Sequence, residues 1–137
     1  MSSIGRVGEA PVDTMWIRVP ATAASIDVLR SVTAVVAGHT SLGIDRVDDL
    51  RLAVSEGAGR LIRAGEQQGT LRATFAADDG ALHVRITLCE GVGGRWPIGP
   101  DTDPLSWIVI DTLTDAAEES LDGDDPSIAL HMSFSHA

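Results

Sequence analysis

Cysteine is all but missing from this sequence: Cys89 stands alone, so no internal disulfide can form and the chain suits a reducing compartment, with an intermolecular bridge open to it only under oxidation. Aromatic residues make up 4% and include no tyrosine, which rules out a core built on stacked rings. Val, Leu, Ile and Ala must supply that core, with Phe75, Phe134, Trp16, Trp96 and Trp107 as isolated large fillers. No apolar run approaches the ~20 residues of a membrane span, and the start lacks a basic flank leading into a hydrophobic segment. Neither a span nor a secretory signal is therefore expected, and the expected location is the cytoplasm. Basic side chains are the minority, ten against twenty acidic, for a formal charge of −10. Such a field repels phosphate backbones and anionic lipid, which argues against direct nucleic-acid or membrane binding and favours basic protein partners. His39, His83, His131 and His136 show no ligand spacing, and with one cysteine no metal site is expected.

What the chain does have is apolar periodicity. Its 137 residues suffice for one domain with a real core and fall short of two. Residues 1–13 lack any period and read as a mobile tail, leaving 14–137 as the domain. Met15, Ile17 and Val19 alternate as a first strand closed by Pro20. A helix follows, with Ser25 as cap and Val28, Leu29, Val32, Val35 and Val36 as its buried stripe. Asp45 opens a second helix that runs to about Gly65. Leu71, Ala73 and Phe75, then Leu82, Val84, Ile86 and Leu88, alternate on either side of a positive-φ turn at Asp78-Asp79-Gly80 and form the clearest hairpin. Residues 89–103 have no period. Asp103-Pro104 marks the start of a third helix, whose apolar side runs through Leu105, Ile108, Val109, Leu113 and Ala116, and Ile128, Leu130, Met132 and Phe134 alternate as a last strand. The order β-α-α-β-β-loop-α-β, with half-buried strands, predicts an α+β two-layer sandwich with the helices on one face.

The second helix carries the most information. Val47, Leu50, Val54, Ala58 and Leu61 fall on one stripe at helical spacing, and Glu56, Arg60 and Arg63 fall on the opposite face. On that face Glu56 and Arg60, four apart, read most simply as a helix-surface ion pair worth a few tenths of a kcal/mol. The same residues, Leu50-Arg51-Leu52-Ala53-Val54-Ser55-Glu56-Gly57-Ala58-Gly59-Arg60-Leu61, resemble the N-box helix of the RsbW-type anti-sigma factors. These are small serine kinases of the GHKL (Bergerat) ATPase fold, whose pattern is Leu-x-Leu-Ala-Val-x-Glu-Ala-x-x-Asn-Ala. An arginine at Arg60 resembles in particular the actinobacterial UsfX-like branch. The predicted element order matches the GHKL domain over roughly residues 15–135.

The resemblance implies a site, box by box. Glu56 matches the general base. The asparagine that holds Mg²⁺ in the family corresponds to Arg60, whose guanidinium has no lone pair to give and adds a repelling charge. The adenine-reading Asp-x-Gly-x-Gly becomes Cys89-Glu90-Gly91-Val92-Gly93. The glycines remain, but a thiol replaces the carboxylate unless Glu90 reaches in; taken alone, such glycines read as a flexible loop. The Gly-x-Gly that cradles phosphate, counted back from Asp115, becomes Pro104-Leu105-Ser106, where proline has no amide hydrogen to offer. No cofactor is expected, ATP with magnesium being at most a weak ligand of this degenerate pocket. Arg30 matches the first-helix arginine that the family uses against both the sigma factor and the anti-anti-sigma factor; without the resemblance it reads as a solvated helix charge.

The resemblance implies an anti-sigma factor that sequesters an alternative sigma factor, is released by a STAS-type anti-anti-sigma factor, and forms a homodimer. Two other readings stand beside it: an active ATP-dependent serine kinase phosphorylating the anti-anti-sigma factor, with Glu56 as base and Glu90 as adenine reader, and a fold turned to a different protein or small ligand.

Overall fold

Alternation of apolar residues every second position, interrupted by two helical stretches, produces a five-stranded sheet with helices on one side. The computed structural model describes residues 13–91, 96 and 103–134; the expected N-terminal tail lies outside them up to residue 12. The elements are β1 (Asp13–Pro20), α1 (Ala23–Gly38), α2 (Ile44–Ala64), β2 (Thr70–Ala77), β3 (Ala81–Cys89), α3 (Pro104–Leu113), β4 (Ala116–Asp122) and β5 (Asp125–Ser133). The strands lie in the order β1-β2-β3-β5-β4, each neighbouring pair antiparallel. This is the predicted α+β two-layer sandwich with one strand more than expected.

The β2–β3 hairpin forms as its pattern requires. Leu71, Ala73, Phe75, Leu82, Val84, Ile86 and Leu88 are all buried, and with Ile128, Leu130 and Met132 of β5 they make the floor beneath the helices. Its turn is not held by a left-handed glycine. Instead the Asp78 carboxylate accepts the backbone N–H groups of Gly80 and Ala81, each at 2.9 Å, an Asx-type closure that satisfies the same donors. These contacts, with a hydrogen bond to His83, draw the Asp78 carboxyl down to about 2.

In α1 the buried line is Ser25, Leu29, Thr33 and Ala37, spaced by four. Val28 and Val35, expected inside, are exposed; the buried stripe is rotated onto Leu29 and the small residues Ser25, Thr33 and Ala37, and α1 packs against α2. Thr33 satisfies its hydroxyl on the Leu29 carbonyl at 2.7 Å, so burying it leaves no unmet donor. Thr22, not Ser25, occupies the cap position, and Gly43 rather than Asp45 that of α2.

Along α2, Leu50, Val54, Ala58 and Leu61 are fully buried, as predicted. Gly57 seats the helix on the sheet: a Cβ there would stand 3.3 Å from the Ile128 side chain, so the missing side chain permits the close approach.

The predicted third helix ends early. Leu113 is its last residue and Thr114 is already extended, while Ala116, expected on the helix's apolar side, begins β4. Asp115 accepts from Arg46 at 2.7 Å and from the Ser133 backbone at 2.7 Å, which fixes the corner between α3 and β4. A turn at Gly123-Asp124, with Gly123 at φ 66, folds β4 back on β5.

Candidate functional site

Arg60 lies on α2 where the sequence placed it on a solvent face opposite the core. It is wholly buried, and that expectation is corrected. Its Nε and Nη2 donate to Glu119 Oε2 at 3.0 and 2.8 Å, and Nη1 donates to the Asp103 carbonyl at 2.9 Å. Trp107 packs its ring 5.3 Å from the guanidinium carbon, close enough for cation–π attraction. Glu119 is itself 5% exposed. One side chain therefore ties α2 to the start of α3 and to β4, through groups that a guanidinium fork fits and an ammonium would not.

The i,i+4 ion pair with Glu56 does not form, because Arg60 turns its charge toward Glu119. Glu56 sits half-buried one helical turn earlier, in no ion pair among the described residues. Arg63, one turn later and exposed, reaches the Asp103 carboxylate at 2.7 Å.

The first turn of α3 is occupied by its own residues. Asp103 is the N-cap, and its carboxylate accepts the Ser106 N–H at 3.4 Å. Its carbonyl accepts from Trp107 as well as Arg60, and Pro104 at the first helical position has no N–H. Ser106 is 4% exposed, and among the described residues its hydroxyl has no partner. A carboxylate thus sits where helix-start amides would otherwise meet an anion.

Cys89 ends β3, buried, with its thiol 3.9 Å from the Thr87 carbonyl. Glu90 is exposed and left-handed at φ 61. Gly91 is packed so closely that a Cβ would lie 2.8 Å from the Leu88 side chain. Beside it Gly69 holds φ 88, with a hypothetical Cβ 2.4 Å from the Cys89 carbonyl. Gly93 lies outside the described residues. Trp96 donates its indole N–H to the carbonyls of Ser120 at 2.8 Å and Ser127 at 3.1 Å, and Trp107 is partly buried against the core. Trp16, expected as a core filler, is instead 65% exposed, since its place in β1 points it away from the helices.

Among the predicted site residues, then, Arg60 and Ser106 meet at the α2–α3 junction through Asp103, while Cys89 and Gly91 sit at the end of β3 beside Gly69. Arg30 lies apart on α1. It is half-exposed, with Asp27 at 4.0 Å, and its Nε has no hydrogen-bond partner among the described residues. Sequence reasoning missed Glu119 altogether. The signal that could have found its strand is the Gly123-Asp124 pair, a two-residue hairpin turn that calls for a strand before it as well as after it; nothing local marks Glu119 as the partner of Arg60.

On the helix-free side of the sheet His83 and His131 face each other with Nδ1 atoms 2.7 Å apart, and Asp78 holds the other nitrogen of His83 at 2.9 Å. Partial burial, then the charge on His83, push the His131 imidazole below its ordinary value, Glu118 opposing and Arg85 adding to the shift. Among the described residues no group of three or more His, Cys, Asp or Glu side chains is placed to hold a metal ion, and no helix is long and apolar enough to cross a membrane.

A family model described as the histidine kinase-like ATPase domain matches residues 19–104. Anti-sigma-F factors RsbW from two strains of Mycobacterium tuberculosis, CDC 1551 / Oshkosh and ATCC 25618 / H37Rv, are each 29% identical over 118 residues, covering 86% of this chain and 68% of theirs. The sandwich of antiparallel strands and helices is the architecture that such a domain requires. The chain therefore belongs to the histidine kinase-like ATPase domain family, of GHKL fold, and within it resembles the RsbW type.

Proposed function

We propose that this protein is an anti-sigma factor that sequesters an alternative sigma factor by direct binding, is released by a STAS-type anti-anti-sigma factor, and works without phosphoryl transfer. The RsbW relatives support the first part. The observation that carries the last part is the buried Arg60–Glu119 pair.

In this family a magnesium nucleotide needs a neutral oxygen at position 60, a carboxylate at the end of β3, and free amides at the start of α3. Here a guanidinium, a thiol and a carboxylate-capped turn stand at those positions. The residues present do not fit the group. A hard cation beside Arg60 meets like charge, and a phosphate at α3 meets Asp103 and the missing N–H of Pro104. Each hydrogen bond to a charged group contributes ~1.5–3 kcal/mol, so losing two or three weakens binding by orders of magnitude. Glu56 then has no positioned phosphoryl donor to act with and is a vestigial base.

Arg30 is the contact residue in this reading. Its long, exposed pairing with Asp27 leaves the guanidinium available to an interface carboxylate, the geometry for which arginine is enriched at binding hot spots. The resemblance also carries a cytoplasmic homodimer, which light scattering would register as twice the 14.4 kDa chain.

The deciding experiment is calorimetric titration of ATP with Mg²⁺, followed by incubation with a STAS-domain protein and labelled ATP. No binding in the micromolar range and no phosphate transfer is expected. Micromolar binding with transfer to a serine of that partner would replace this proposal with the kinase reading, with Glu56 as base.

A further inference from the structure

We propose that the helix-free face of the sheet is a second docking surface, and that its occupant is a protein segment carrying several carboxylates. The face opens on a cavity of about 550 Å³ lined by Trp16, Arg18, Arg72, His83, Arg85 and His131. In a chain of charge −10 whose basic side chains are all arginine, three of those arginines gather on this one surface.

They are not arranged to neutralise each other or to be neutralised from within. Arg18 and Arg72 stand directly opposite across the β1–β2 ladder, a like-charge pairing that weakens a sheet. Arg18 has no ion pair among the described residues. Arg72 reaches Asp122 only at 3.4 Å, between side chains 37% and 47% exposed. Arg85 donates to the neutral hydroxyls of Ser127 and Ser120 at 3.1 and 3.5 Å. Of the acidic groups, Asp122 lines the cavity, while Glu118 faces His131 from β4 and Asp78 is taken up by His83 and the turn amides of Gly80 and Ala81. Among the residues that line the cavity, three arginines therefore face one carboxylate.

The shape of the charge selects the occupant. Arg18, Arg72 and Arg85 come from three adjacent strands, each set off from the next by ~4.8 Å, so the guanidinium groups are spread along a track and do not converge on one point. The backbone amides of β2 and β3 are committed to ladders on both sides, so the main chain beneath Arg72 and Arg85 offers no nest for a single phosphate. A run of carboxylates on an extended segment matches such a track, each accepting a forked hydrogen-bond pair. Trp16 at the rim supplies the exposed aromatic anchor that, with arginine, is most enriched at protein-binding hot spots. This surface lies on the opposite side of the sheet from α1 and Arg30, so it does not depend on what the helical layer binds.

The test uses the full chain and a hexaglutamate peptide, followed by the Trp16 indole resonance and the His83 and His131 ring signals. Saturable binding that shifts these three residues is expected, weakened about tenfold as salt screens the charges. Arg18→Glu should lower affinity at least tenfold while leaving the melting temperature equal or higher, because the new carboxylate faces Arg72. Arg85→Gln, which keeps a hydrogen-bonding side chain, should weaken binding by a smaller factor. Absence of binding would overturn the proposal. So would tighter binding of inorganic phosphate at the same residues, which would make this a small-anion site, or concentration-dependent self-association abolished by Arg18→Glu, which would make the occupant a second copy of the chain.

Discussion

The two faces of the sheet hold charge in opposite ways. On the helix-covered side, Arg60 and Glu119 are closed off from solvent, and the guanidinium donates to a carboxylate and a carbonyl beside an aromatic ring. On the open face Arg18, Arg72 and Arg85 line an open cavity with a loosely paired aspartate and two serine hydroxyls for company. A charge taken out of water must find its partner inside the fold, so it becomes part of the architecture. A charge left in water need not, and remains free to recognise something else. The position that serves magnesium in the family's pattern falls in the first class here, and the residues proposed to meet partners fall in the second.

The sharpest break of that contrast is Arg60→Ala. Removing the guanidinium from beside the buried Glu119 carboxylate should cost about 3–5 kcal/mol, read as a loss in urea unfolding free energy. Glu119→Ala should cost a similar amount, and the paired change Arg60→Met with Glu119→Leu should recover most of it. A loss below about 1 kcal/mol in either single variant would mean that the pair is not structural.

Next in size is Arg30→Glu, expected to weaken sigma-factor binding by more than about 2 kcal/mol, roughly thirtyfold, while stability stays within about 0.5 kcal/mol of the parent. Unchanged affinity would remove Arg30 from the interface.

A smaller effect should follow pH. Because the folded His131 binds its proton less readily than the unfolded chain, whose value is near 6.5, the unfolded state takes up more protons as pH falls through that range. Stability is then full above that value and declines below it. Thermal melts between about pH 7.5 and pH 5.5 should show a falling midpoint that His131→Gln flattens. Asp78, held near 2, gives up its contribution only as pH drops from about 4 toward 2, so the two do not overlap. A melting profile independent of pH across the histidine range would show that burial and His83 do not weaken proton binding at His131.

Smallest of all is Glu56→Gln, for which neither sigma binding nor stability should change measurably, since the side chain is in no ion pair among the described residues and the proposed activity asks nothing of a base. Loss of binding with stability retained would show that Glu56 belongs to the interface.

Much of the fold was legible because its signals are local. Alternation at Leu71, Ala73 and Phe75 against Leu82, Val84 and Ile86 specifies a hairpin within a short window, and Asp103-Pro104 specifies a helix start by capping and by the fixed φ of proline. The resemblance at Leu50–Leu61 supplied a topology that periodicity could not choose. The errors share one cause. Hydrophobicity alone puts Val28 and Val35 on the inner side of α1, but the line that packing buries is Ser25, Leu29, Thr33 and Ala37. Ala116 reads as helix in the sequence because Thr-Asp-Ala-Ala is locally tolerant of helix, and only pairing with His131 across the sheet makes it a strand.

By itself, the sequence determined the alternation that builds the sheet, the two long helices, the family pattern around Glu56, and the residue types at Arg60, Cys89 and Pro104 on which the proposed loss of nucleotide binding rests, since those properties belong to residue types and short spacings. Only the tertiary structure decided where Arg60 points. Its partner Glu119 lies 59 residues away on a strand that exists because β5 is there to pair with it, and the burial of a charge is settled by what long-range packing brings beside it.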